Sequence, residues 1–164
     1  MTARGASARL PRLHPAWWIS TFFGVGCLPW APGTWGSLAT VLIAYGLGRY
    51  LSPAIMVSAA LTIFLVGWWA SAVYVARTGR EDASEIVIDE VAGQLLALAF
   101  VPAYGPWYVV GFVAFRVFDV LKPFPANWCD RSVKGGLGVM ADDMIAGTYA
   151  AILTTLGYYL WIFI

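Results

Sequence analysis

All nine acidic residues of this 164-residue chain fall between positions 81 and 143, and four of them form two adjacent pairs, Asp89 with Glu90 and Asp142 with Asp143. Two carboxylates about 5 Å apart repel by about 3 kcal/mol at an effective dielectric of about 20. Capping free N–H groups at the positive end of a helix dipole returns only about 0.3 to 1 kcal/mol each. Two doubled acids on one face therefore ask for a cation. His14 is the only histidine, and Cys27 and Cys129, read as unpaired thiols, are the only cysteines. The ligands must then be oxygen, which favours Mg²⁺, or Mn²⁺ in its place, over zinc or copper. No Asp-rich calcium loop is present.

The stretch FRVFDVLKPFP places Arg116, Asp119 and Lys122 at spacings of three, in one sector of a helix. Taken alone, it reads equally well as an Arg116–Asp119 ion pair with a snorkelling Lys122. Beside an acid-held metal it reads as an anion site, with Pro123 ending the helix and leaving the Lys122 ammonium at the membrane edge. Residues 24–37, GVGCLPWAPGTWGS, hold four Gly and two Pro. They predict a loop rather than a regular helix. Its glycines, with Thr34 and Ser37, are the ingredients of a backbone nest for phosphate oxygens. Gly135, Gly136 and Gly138 predict a tight turn or a close backbone approach before Asp142. Gly93 and Gly147, one turn after Asp89 and Asp143, predict two helices in close contact.

These groups exclude several reactions. A phosphohistidine route and a Ser-His-Asp triad both lack a credible histidine. A cysteine phosphatase needs an Arg five residues after the thiolate, whereas Arg131 follows Cys129 by two and Cys27 has none nearby. A net charge of +1 gives no basic surface for nucleic acid. Metal-assisted phosphoryl chemistry remains.

The elements that must position these groups are strongly apolar. The chain is 60% hydrophobic and 12% charged, with a mean hydropathy of +0.73, against about 25% charged in an ordinary soluble domain. The solvent is read as lipid. Residues 1–16 form a basic arm, and Trp17–Phe23 a short interfacial helix. Roughly 37–51, 54–76, 86–103, 107–122 and 142–164 are apolar enough to span, some of them short for a hydrocarbon layer of about 30 Å. The expected fold is a single all-α polytopic membrane domain over 1–164, with four to five membrane helices. Arg4, Arg9 and Arg12 place the N-terminus inside. Arg77, Arg80, Arg131 and Lys134 put the loops at 77–85 and 123–141 on the same side, and only Arg49 disagrees. Both acid pairs then meet at the cytoplasmic face.

Together GVGCLPWAPGTWGS (24–37), EIVIDEVAGQ (85–94), FRVFDVLKPFP (115–125) and DRSVKGGLGVMADDMIAG (130–147) resemble phosphatidylglycerophosphatase A. That resemblance implies an all-helical, Mg²⁺-dependent phosphatase of the bacterial inner membrane, which converts phosphatidylglycerophosphate to phosphatidylglycerol. It carries over to Asp89, Glu90, Asp142 and Asp143 as the acidic motifs, to Asp119 and Lys122, and to Thr34 and Ser37. On this reading Asp89, Glu90 and Asp143 bind Mg²⁺, with Asp142 and Asp119 as further ligands or proton acceptors. Lys122, Arg116 and Arg131 hold phosphate oxygens, helped by N–H groups of loop 24–37. Two other classes compete. A CDP-alcohol-type phosphotransferase also uses membrane-edge acids, but no DG-x-x-A-R stretch occurs here. A non-enzymatic ion or lipid carrier would place a charge near mid-membrane, whereas these charges gather at helix ends.

Overall fold

A computed structural model describes residues 10–80 and 83–164, with the backbone alone at Arg49. Arg4, Arg9, Glu81 and Asp82 lie outside the described residues. Every regular element among the described residues is helical. The order is α1 Pro15–Ser20, α2 Pro32–Leu47, α3 Pro53–Thr78, α4 Ile88–Ala97, α5 Gly105–Leu121, α6 Ala126–Ser132 and α7 Gly136–Phe163, with 3₁₀ turns at Val25–Cys27 and Gly48–Tyr50.

The start and stop signals are local. Pro occupies the first turn of α1, α2, α3 and α5, where its missing N–H costs nothing. The imidazole of His14 caps α1 by accepting from the Ala16 N–H at 3.1 Å. Gly79, at φ 68°, closes α3 by donating to the Val75 carbonyl.

The loop expected over 24–37 is half helix, because α2 begins at Pro32 and runs through Gly33, Thr34, Gly36 and Ser37. The expectation failed because those glycines serve packing. A Cβ at Gly36 would sit 3.0 Å from the Val87 Cβ, and one at Gly33 would collide with the Glu90 carboxylate. The tight turn expected at Gly135–Gly138 is confined to Gly135, at φ 72°, since Gly136 and Gly138 already lie in α7. A Cβ at Gly136 would meet the backbone of α3 at Trp68 and Ala72.

Two described helices, α3 with 26 residues and α7 with 28, are long and apolar enough to cross a membrane. The expected span over 86–103 contracts to α4, with 10 residues, where a crossing needs about 20. Its apolar run is core: Val91, Ala92, Gly93 and Leu95 are all buried. Helix α4 packs against α2, α3, α5 and α7. Outward faces stay apolar, with Leu42 63%, Leu65 59% and Leu160 64% exposed.

Helices α4 and α7 approach most closely at Gly93 and Gly147. A Cβ at Gly147 would lie 2.9 Å from the Gly93 Cα, and one at Gly93 would lie 2.6 Å from the Phe115 ring. The loop entering α4 is tied down on its other side. Glu85 accepts from the Tyr74 hydroxyl at 2.8 Å and from Arg80 at 2.6 Å, and the Val87 N–H donates to the Ser20 carbonyl. Burial pushes the Glu85 carboxyl up, but bonds from Tyr74, from its own backbone and from Arg80 outweigh that and hold it below the usual carboxylate range.

Gly147→Val should lower stability by about 1 to 3 kcal/mol through overpacking, seen as an earlier thermal midpoint in detergent. Gly46→Ala, whose added methyl meets nothing within 4 Å, should leave the midpoint unchanged or raise it. Equal midpoints for Gly147→Val and the parent would refute the close approach.

Candidate active site

The first turn of α4 supplies Asp89 and Glu90 side by side, with the Glu90 N–H donating to Asp89 Oδ1 at 3.1 Å. Because α4 and α7 meet one turn further on, Asp143 of α7 arrives beside them. One carboxylate oxygen from each of Asp89, Glu90 and Asp143 lies within 4.8 Å of the others. At an effective dielectric of about 20, each ionised pair at that separation repels by at least about 3.5 kcal/mol. Asp142 and Asp143, expected at or near a helix start, sit in the second turn of α7. The end of the dipole therefore does little for them, and the crowding has to be relieved by a cation or by protons.

Adjacent residues on a helix point about 100° apart, so Asp142 faces a different partner from Asp143. Its Oδ2 meets Lys122 Nζ at 2.6 Å, and Asp130 Oδ1 meets the same nitrogen at 2.5 Å. Lys122 caps α5 in the left-handed region, at φ 42° and ψ 60°, at a cost of about 1 to 2 kcal/mol for a residue with a Cβ. Pro123 disfavours the right-handed conformation there, and the two carboxylates hold the ammonium once the chain has turned.

Behind the other side of the acid cluster, Arg116 Nη1 lies 2.7 Å from Asp119 and 3.7 Å from Glu90. The Ser37 hydroxyl donates to the Gly33 carbonyl and accepts from Arg116 at 3.5 Å. Gly33 is the cradle for this ion pair, since a Cβ there would also come 3.3 Å from Arg116 Nη1.

The acids open into a cleft of about 430 Å³, with Asp89, Glu90, Asp119, Asp142 and Asp143 in its lining together with Lys122. Thr34, Ser37, Arg116 and Arg131 are not among its lining residues. Ser37 is fully buried behind Arg116, and Arg131 is exposed on α6. No loop nest forms at Thr34 and Ser37, because both belong to the first two turns of α2.

Sequence reasoning did not assign Asp130 or Lys134 to the site and took Gly33 only as part of a phosphate nest, yet all three line the cleft. Asp130 carried a signal, an acid eight residues after Lys122 and next to Arg131, but it needs the unanticipated short helix α6 to bring it back. Gly33 carried none, since a glycine after proline reads as a turn.

A family model described as Phosphatidylglycerophosphatase A matches residues 18–158. Phosphatidylglycerophosphatase A of Haemophilus influenzae is 35% identical over 154 residues, covering 93% of this chain and 94% of the relative. The protein of that name in Escherichia coli is 34% identical over 160 residues, 94% and 90% of the two chains. A Bacteroides thetaiotaomicron protein provisionally named a phosphatidylinositol-3-phosphatase is 38% identical over 143 residues, 82% and 88% of the two chains. No solved structure matches. The four motifs that meet around the cleft all lie inside the matched region, and the chain belongs to the phosphatidylglycerophosphatase A family.

Proposed function

We propose that this protein hydrolyses the terminal phosphomonoester of phosphatidylglycerophosphate, giving phosphatidylglycerol and phosphate. Its relatives carry that name, and one observation of the structure carries the chemistry: three carboxylates from two helices converge in a cleft that Lys122 also lines. The donor set fits a hard divalent cation. It is all oxygen, and Glu90 Oε2 and Asp143 Oδ2 are buried with no protein partner. Asp89, Glu90 and Asp143 would hold Mg²⁺, which supplies charge neutralisation for the phosphate and a more acidic bound water.

The chain's own groups do the rest. Lys122, clamped by Asp130 and Asp142, presents a fixed positive charge to the phosphate oxygens. Arg116 orients Glu90 and Asp119 from behind rather than touching the phosphate. Asp142 Oδ1 is buried without a partner and accepts a proton from the attacking water. The water oxygen bonds to phosphorus, the ester P–O bond breaks, and the departing glycerol oxygen takes that proton back from Asp142 and leaves as an alcohol.

The same reading places the chain in the bacterial inner membrane as a multi-pass protein, with α2 and α5 joining α3 and α7 as four membrane segments and the cleft on the cytoplasmic side. Exposed apolar faces on α2, α3, α5 and α7 support it, as do the basic residues at the ends near the cleft.

Purified protein should release phosphate from phosphatidylglycerophosphate in mixed micelles with Mg²⁺ and none with excess chelator. Asp89→Asn or Asp143→Asn should abolish release while the thermal midpoint stays at or above that of the parent, because a buried like charge is gone. Parental turnover in either variant would remove that residue from the site. Lys122→Ala should slow turnover by about 10² to 10³-fold, about 2.7 to 4 kcal/mol of transition-state stabilisation. Asp130→Asn, which leaves Asp142 on the ammonium, should cost tenfold or less. Equal losses in the two would show that Lys122 acts only as a structural tie.

A further inference from the structure

Beyond the cleft, the seam between α4 and α7 opens into a second, apolar groove of about 310 Å³. Leu96 and Phe100 form one wall, and Thr148, Ile152, Thr155 and Leu156 of α7 form the other. We propose that this groove holds an acyl chain of the lipid whose phosphomonoester sits in the acidic cleft. The proposal rests on the phosphatase reading above and adds where the hydrophobic part of the substrate goes.

Three observations carry it. The contact of Gly93 with Gly147 divides one seam into two chambers: Asp89 and Asp143 lie one turn before those glycines, and Leu96 and Thr148 lie just after them. At 1.5 Å per residue the groove runs along α7 from about 7 to 20 Å beyond Asp143, the direction in which a lipid's chains lead away from its headgroup.

The groove also has a structural cause. Near the cleft α3 packs on α7, where Gly136 meets Trp68 and Ala72 and Gly67 meets Met140. Towards its other end α3 joins α4 instead, with Met56 and Ala60 sharing a buried cluster with Leu95, Leu98 and Ala99. Helix α5 covers the other flank, where Phe115 and Ala114 cluster with Ala97, Ala146 and Ala150. The seam is left uncovered on the α3 side below the glycines.

The rim is the right chemistry for a hydrocarbon chain. Phe100 is 47% exposed, Ile152 53% and Leu156 58%.

Two measurements test this. First, Ile152→Trp narrows the groove without touching the cleft. Its KM for a long-chain diacyl substrate in mixed micelles should rise at least fivefold, while kcat/KM for an acyl-free glycerol phosphomonoester stays within twofold of the parent. A change equal for both substrates, or for neither, overturns the proposal. Second, a lipid phosphomonoester carrying a photoreactive diazirine near the ester end of one chain should label the parent protein in the peptides holding 96–100 and 148–156. Labelling confined to other helices overturns it, and this readout needs no turnover. If the parent labels in the groove yet releases no phosphate from any lipid phosphomonoester with Mg²⁺, the phosphatase reading falls and the groove stands. If the parent is a dimer that Ile152→Trp dissociates, a second copy covers the groove and the proposal falls.

Discussion

Like charges crowded away from water are the constraint to which the rest of this molecule answers. Asp89, Glu90 and Asp143 gather within the reach of one ion, and ionised carboxylates do not gather unless something forces them together. The force is apolar packing. The buried faces of α4 and α7 meet at two glycines, and closing that contact carries the acids along, one turn away. The polar groups around them divide into separate clamps. Arg116 answers Glu90 and Asp119, and Lys122 answers Asp142 and Asp130. Neither cation cancels the whole surplus.

Much of this was legible in the residues. Doubled acids in an apolar chain, glycines one turn later and a proline after Lys122 are local signals, and each reports on its own turn of helix. The close approach at Gly93 and Gly147 and the end of α5 at Lys122 followed from them. The boundaries of α2 did not. Gly33 and Gly36 look like turn residues until the partner that requires their missing side chains is known, and those partners, Glu90 and Val87, are more than 50 residues away.

The same limit applies to α4. An apolar run can face lipid or other helices, and composition does not distinguish the two solvents. Residues 86–103 read as a crossing, yet only Ile88–Ala97 is helical and most of that is buried. Pairing was equally illegible. Arg116 with Asp119 is an i,i+3 neighbour that spacing finds, whereas Lys122 with Asp142 joins the end of one helix to the second turn of another.

The cleft lining has a consequence for the order in which ligands enter. It contains six acids and two lysines, so an arriving phosphate dianion meets net repulsion rather than a prepared anion hole. Whatever positive charge offsets that surplus must raise the affinity for the dianion, and the dianion must raise the affinity for it by an equal factor. The acidic vestibule therefore discriminates by charge: it draws positive charge in unaided, and it admits the dianion only where that charge already offsets the surplus.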